Sequence, residues 1–489
     1  MNRITGMNRI MGISILAAVV SATAVLSCTD AKEQPGDSTK ERTITVQERV
    51  EVGHDGGTFS INVEANFEFN VEPQADWISF DRVEGSKVWF TAQANEEREA
   101  RMGKVKFTDP ERSFFYKEVR VSQDYDRNPE VAMSLSIVDK GATAQTKALY
   151  ANLWDISSKG FMFGHHDDLW YGRYWYNEPG KSDTKAVCGD YPAVFSVDMG
   201  PIMDDRYNSA ENAIRRRVII EAYDRGEVIT MCCHLNNPHT GGDSWDNNSN
   251  DVVKSILTEG HATRTKYLTW LDRCAEFAKN LKGSDGNLIP IIFRPYHEHT
   301  QTWSWWGSKC TTEDEFIRFW KFTVEYLRDT KGVHNFIYAI SPQMDEVYPD
   351  AEGRLTFRWP GDEYVDFLGM DCYHYSWKQA FKSNLEAMSK LSLEKNKPCG
   401  VTETGPEGFD WKDYWTGHIL QSALNQRVSM IVMWRNKYVG NNESDRHFYS
   451  VYPGHPSEDD FRTMYASDAT FFSKDLPDMY SMPKGYEVK

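Results

Sequence analysis

Eight short apolar runs recur between residues 135 and 480, separated by longer stretches with helical spacing. This alternation constrains the fold more than any other feature of the chain. The runs are Gly160–Gly164, Ala193–Val197, Val228–Cys233, Ile289–Phe293, Asn335–Ile340, Val365–Gly369, Pro398–Thr402 and Val428–Met433. Between them, segments such as Ser209–Arg225, Thr263–Leu281 and Glu313–Asp329 carry apolar residues at helical intervals. Runs that are apolar throughout suit parallel strands buried on both faces. Eight strand–helix units predict an α/β fold, a (β/α)8 TIM barrel with enlarged loops.

The residues that follow each run support this parse. His165-His166-Asp167-Asp168 follow the first, Asp198 the second, His234 the third and His297-Glu298 the fourth. Ser341 follows the fifth, Asp371 and Tyr373 the sixth, Glu403 the seventh and Trp434-Arg435 the eighth. Barrels of this kind gather their active sites at the C-terminal strand ends, so all eight ends are supplied with chemically useful side chains.

Residues 43–125 read differently. Thr58-Phe59-Ser60-Ile61-Asn62-Val63 alternates at period two, as do segments near Val88–Phe90, Lys104–Phe107 and Glu118–Val121, with Gly56-Gly57 and Gly85-Ser86 as turns. A small all-β, immunoglobulin-like sandwich is expected ahead of the barrel. The pattern Gly56-Gly57-Thr58-Phe59, Asp76-Trp77-Ile78-Ser79-Phe80, Asn95, Arg101-Met102-Gly103 and Val121-Ser122-Gln123 resembles the BACON module of exported proteins in gut Bacteroidetes. A spacer role, with Trp77 as core anchor, is the expectation; glycan binding is the alternative.

At the N-terminus, Arg3 and Arg9 precede an apolar stretch from Met11 to Leu26 that ends in Val25-Leu26-Ser27-Cys28. This resembles a bacterial lipobox, which implies a signal peptide over residues 1–27, lipidation of Cys28 and attachment to the cell envelope. Polar residues 28–42 read as a tether. The seven other cysteines form no CxxC pairs, which argues against a zinc site. One or two disulfides remain open. A net charge of -17 excludes a basic nucleic-acid footprint. No cofactor, metal or nucleic-acid partner is expected, and a monomer is.

Within the barrel, Glu298 and Glu403 end strands four and seven, which stand across the mouth from one another. Two carboxylates in an aromatic cleft are what glycoside hydrolysis needs, and a separation of about 5–5.5 Å marks a retaining enzyme. Glu403 has to stay ionised, with Arg294 as its donor, while the charge of Glu403 favours a protonated Glu298. Trp303, Trp305 and Trp306 cannot all face one way: one or two should form a sugar platform and the rest pack the loop. The segment His234–Trp245 is polar and glycine-bearing, suited to lining a cleft. His297 is expected to hydrogen-bond the nucleophile or substrate. His297-Glu298-His299 and His165–Asp168 are poor chelators because adjacent residues in extended chain point to opposite sides.

Phe293-Arg294-Pro295-Tyr296-His297-Glu298 with Trp303-Ser304-Trp305-Trp306-Gly307, then Asp371-Cys372-Tyr373, Glu403 and Trp434-Arg435-Asn436, resemble glycoside hydrolase family 26, best known for β-1,4-mannanases. The spacing of the two glutamates (403 − 298 = 105) also suits that family. The resemblance implies cofactor-free double displacement, with Glu298 as acid/base and Glu403 as nucleophile. It places His297 and Tyr373 in contact with the site, Trp434 beneath the cleaved-bond sugar, and Arg435, Trp245 and Trp303 at neighbouring subsites. Gly164-His165-His166 matches more loosely, leaving open which histidine faces substrate. The expected activity is endo-β-1,4-mannanase on mannan, glucomannan or galactomannan. The rivals are a mannobiose-releasing exo-enzyme, a mixed-linkage β-glucanase, a β-1,3-xylanase, or a non-catalytic surface glycan-binding lipoprotein.

Overall fold

The computed structural model describes residues 42–47, 49–97, 100–124, 133–373, 378–440 and 442–489. The leader, Cys28 and all of the tether but Arg42 lie outside the described residues.

Eight strands build the first module: β1 (Ile44–Val46), β2 (Arg49–Val52), β3 (Gly57–Ala65), β4 (Asn70–Pro73), β5 (Ile78–Glu84), β6 (Lys87–Ala92), β7 (Arg101–Thr108) and β8 (Tyr116–Gln123). They form two four-stranded sheets, β1-β3-β6-β5 and β2-β8-β7-β4. Alternate residues Ile61, Val63, Val88, Phe90, Val105, Phe107, Val119 and Val121 fill the space between them. Trp77 packs partly buried against this core. Gly103 makes room for it, since a Cβ there would come within 3.0 Å of the indole.

After β9 (Met133–Leu135) and helix α1 (Ala144–Ser157), the barrel strands follow: β10 (Phe161–His166), β11 (Val194–Asp198), β12 (Val228–Cys232), β13 (Ile291–Arg294), β14 (Phe336–Ile340), β15 (Phe367–Cys372), β16 (Cys399–Thr404) and β17 (Met430–Met433). All pair in parallel and in chain order, and β10 pairs with both β17 and β11, which closes the barrel. This is the expected (β/α)8 architecture.

Side-chain alternation sorts each strand between two environments. Met162, Val194, Val228, Ile292, Ile337, Phe367, Met430 and Val432 form an inner cluster, whose lower end is plugged by Leu149, Leu153 and Trp154 of α1. Phe163, Leu368, Met370, Val401 and Ile431 belong instead to an outer cluster. Gly164 continues the inner set, where a Cβ would meet Val432 at 2.8 Å and Val194 at 3.0 Å. The seven described cysteines outside the leader are free thiols.

The sandwich meets the barrel beside the start of β10. The guanidinium groups of Arg49 and Arg120 both donate to the carbonyl of Lys159, and Arg49 lies 5.8 Å from the Phe471 ring centre. Lys159 precedes β10, so this contact is at the N-terminal end of the strands, away from their C-terminal mouth.

Candidate active site

Inward positions at the C-terminal ends of several strands bring polar groups to the mouth. On β10, Met162 and Gly164 face inward, and His166 continues that set. It stacks on Trp434 at 4.2 Å and bonds Ser196 Oγ through Nδ1 at 2.8 Å. Burial holds its pKa below the ordinary imidazole value. His165, one residue out of phase, turns into the surrounding layer, where Nδ1 lies 3.0 Å from Asp168 and 3.3 Å from Thr184 Oγ1. His165 therefore does not line the cleft, so of the two candidate substrate-binding histidines, His165 and His166, only His166 faces it. Alternation along the strand is the cause.

Arg294, inward on β13, organises the acids. One nitrogen, Nη1, bonds Asp371 Oδ2 at 2.7 Å and Ser341 Oγ at 2.9 Å, and Nη2 donates to Glu403 Oε1. Burial opposes the charge on Arg294, but Asp371 and Glu403 overcome it and raise its pKa. Asp371 also accepts from Thr402 Oγ1 at 2.6 Å. Tyr373 donates to Glu403 Oε2 at 2.7 Å, so both carboxylate oxygens of Glu403 are held.

Strict alternation along β16 would place Glu403 with Cys399 and Val401, facing outward. A register shift prevents this: Met370 pairs with Val401 and Asp371 with Glu403, leaving Thr402 as an extra residue. Such a bulge re-aims the following side chain. Thr402 and Glu403 consequently both serve the inner face.

Glu298 follows β13 through an irregular turn in which Tyr296 (φ 53°) and Glu298 (φ 55°) take the left-handed conformation. For non-glycine residues this costs roughly 1–2 kcal/mol each. The turn is pinned by the Glu298 N–H donating to Ser341 O at 2.8 Å. Glu298 Oε2 accepts from the Trp303 indole at 2.5 Å. Burial, then the charges of Asp371 and Glu403, push the Glu298 carboxyl well above the usual carboxylate range. One oxygen from each of Glu298, Asp371 and Glu403 lies within 4.8 Å of the others.

Around these acids is a cleft of about 780 Å³. Of the residues singled out by sequence, His166, His234, Trp245, His297, Glu298, Trp303, Tyr373, Glu403, Trp434 and Arg435 line it, while Arg294 stands behind Glu403. Trp245 is 63% exposed and stands 4.5 Å from Trp303. Trp305 and Trp306 are buried and pack the loop, with Trp306 donating to His297 O at 2.8 Å. His297 meets His234, nitrogen to nitrogen at 3.2 Å, rather than Glu403. Burial, then His234 and Arg294, hold its pKa well below the ordinary imidazole value, which keeps the ring neutral. Tyr171, Tyr176, Tyr438 and Tyr449 also line the cleft. Sequence reading passed over these tyrosines, because they lie in loops with no periodic signal.

Residues 138–441 match the model for glycosyl hydrolase family 26, and residues 67–124 match the BACON model, described as a putative N-terminal binding domain. The chain belongs to glycosyl hydrolase family 26. Among solved family 26 structures, a β-mannanase from Bacteroides ovatus is 38% identical, covering 70% of this chain and 98% of that one with a TM-score of 0.65. A modular endo-β-1,4-mannanase from Cellulomonas fimi is 30% identical over 72% of this chain and 81% of its own, at a TM-score of 0.63. A mannan endo-1,4-β-mannosidase of Bifidobacterium adolescentis is 30% identical over 380 residues, 72% of this chain. This family 26 chain spans only 37% of that relative's length, and 62% of a second mannosidase, from Caldalkalibacillus mannanilyticus.

Proposed function

We propose that the protein is a retaining endo-β-1,4-mannanase acting on mannan, glucomannan or galactomannan by double displacement. The observation that carries this reading is the approach of Glu298 and Glu403 oxygens to within 4.8 Å, in a cleft walled by aromatic rings. Inverting enzymes hold their carboxyl groups about 6.5–9.5 Å apart to admit a water between them, and retaining ones about 5–5.5 Å.

Glu403, held by Arg294 and Tyr373, attacks the anomeric carbon. Glu298 gives its proton to the departing sugar oxygen. When the glycosyl ester forms, the negative charge of Glu403 is gone, and with it part of what kept Glu298 protonated. Glu298 then takes a proton from the attacking water, and the sugar leaves with its configuration retained. Trp434 supports the sugar at the cleaved bond, and Trp245 with Trp303 supports the next ones. Arg435, His234 and the neutral His166 and His297 supply hydrogen bonds to hydroxyl groups.

The test is release of reducing sugar from galactomannan, with NMR of the first-formed anomer. β-Anomer first is expected; α-anomer first would remove Glu403 as nucleophile. Glycan binding without turnover would favour the non-catalytic lipoprotein.

The lipobox-like Val25–Cys28 supports an enzyme held in the bacterial envelope through lipid on Cys28. Cys28→Ala should move the protein from the membrane fraction to the soluble one.

A further inference from the structure

Asp198 and Cys232 are register partners at the ends of β11 and β12. Each belongs to the inward set of its strand. His234, two residues beyond Cys232, folds over both of them. Its Nδ1 lies 3.7 Å from Cys232 Sγ and 3.6 Å from Asp198 Oδ2, and one atom of each residue lies within 4.8 Å of the others. Around zinc, with Zn–S about 2.3 Å and Zn–N about 2.0 Å, a tetrahedral S···N edge is about 3.5 Å and an N···O edge about 3.3 Å. The observed spacings are within a few tenths of an ångström of these edges.

The supporting contacts also suit a ligand set. Asp198 Oδ1 receives the backbone N–H of Gly200 at 2.8 Å and of His234 at 3.0 Å, which fixes the carboxylate with Oδ2 toward the imidazole. On its far side, His234 Nε2 contacts His297 Nε2 at 3.2 Å, which orients the ring. The thiol itself is placed unlike others in the chain. Cys188, Cys310 and Cys399 donate to carbonyls, whereas Cys232 Sγ lies against a ring nitrogen.

We infer that Asp198, Cys232 and His234 form a site for a thiophilic divalent cation, zinc being the type case, and that an ion bound there inhibits the enzyme. Binding displaces the Cys232 thiol proton to solvent. The resulting thiolate and the Asp198 carboxylate then balance the two charges of the ion. Asp198 and His234 both line the cleft, so the fourth coordination position opens toward the space that a sugar must occupy beside His297 and Glu298. The ion takes no part in the chemistry. The binding half stands on geometry alone, and the inhibitory half rests on the proposed glycosidase activity.

Cobalt(II) titration of the full chain reads binding directly. One cobalt per chain is expected, with a thiolate-to-metal charge-transfer band that zinc displaces. Cys232→Ser and Cys232→Ala should both lose the band and keep metal-free mannan hydrolysis. Loss of an orienting contact alone weakens metal sites about 10–100-fold, so both variants should need at least about tenfold more zinc for half-inhibition. A parent without the band, or a band that persists in both variants, overturns the site. A band accompanied by unchanged turnover overturns the inhibition. Absence of turnover on every glycan tested would sink the glycosidase reading instead, leaving the cobalt spectrum to decide the site.

Discussion

Replacing Glu298 by Gln tests the proton assigned to this residue while keeping the shape of the cleft. The amide retains an oxygen for the Trp303 indole, which donates at 2.5 Å in the native pair. In an unfolded chain a glutamate ionises above about pH 4.3. In the fold, burial and the charges of Asp371 and Glu403 hold the proton on. A carboxyl raised by folding favours the folded state below its unfolded value and costs stability as pH rises above it. Gln escapes that cost, so the variant should match the parent near pH 4 and exceed it at pH 8. Oxygens of Glu298 and Glu403 lie within 4.8 Å, and two unit charges at that distance repel by roughly 3.5 kcal/mol at an effective permittivity of about 20. Arg294 offsets part of this, while burial and Asp371 add to it, so a gap of about 3 kcal/mol is expected at pH 8. It should open by no more than about 1.4 kcal/mol per pH unit. Urea unfolding of both proteins at pH 4 and pH 8, followed by tryptophan fluorescence, measures it. A gap of equal size at both pH values, or a variant weaker than the parent at pH 8, would refute the assignment.

Three kinetic predictions accompany this one. Glu298→Ala should slow mannan hydrolysis about 10²–10⁴-fold. It should still release a burst of dinitrophenol from a dinitrophenyl β-mannobioside, whose leaving group needs no proton, and azide should restore turnover as the β-azide. No burst and no rescue would contradict its acid/base role. Tyr373→Phe removes a hydrogen bond to a charged group worth about 1.5–3 kcal/mol, so kcat/KM should fall about 10- to 150-fold; a change under threefold would leave the hydroxyl without a part. Trp245→Ala should raise KM for long manno-oligosaccharides about 2- to 10-fold, with kcat nearly unchanged. A fall in kcat with constant KM would place that ring outside the sugar path.

The barrel was legible because its strands are apolar on both faces, a pattern few other folds impose. Their upper ends were not. The observed β10, β15 and β16 run on to His166, Cys372 and Thr404, beyond the apolar runs, since residues that serve the mouth are polar. The stretch from Glu313 to Asp329 read as one helix, whereas the α-helix ends at Glu325 and a π-turn continues over Tyr326–Thr330. In the sandwich, short half-exposed β1, β2 and β4 carry too few residues to show a period. The parallel pairing of β2 with β8 joins residues about 70 positions apart, which no local pattern encodes. Glu298 and Glu403 could be found as strand-end acids. Which way Glu403 points could not, because Thr402 adds a bulge that only the pairing with β15 reveals. Asp371 was visible at its strand end, and alternation from the inward Phe367 is enough to carry it to Arg294. Among the three tryptophans the division of labour could be foreseen, though not that Trp303 alone would reach Glu298.

The grip of Arg49 and Arg120 on the Lys159 carbonyl puts the small module at the foot of the large one. Anything fastened to that module, whether a surface, a bead or a fused partner, therefore stands on the side remote from the working groove. Shortening or replacing the module should alter how the catalyst is presented far more than how it cuts.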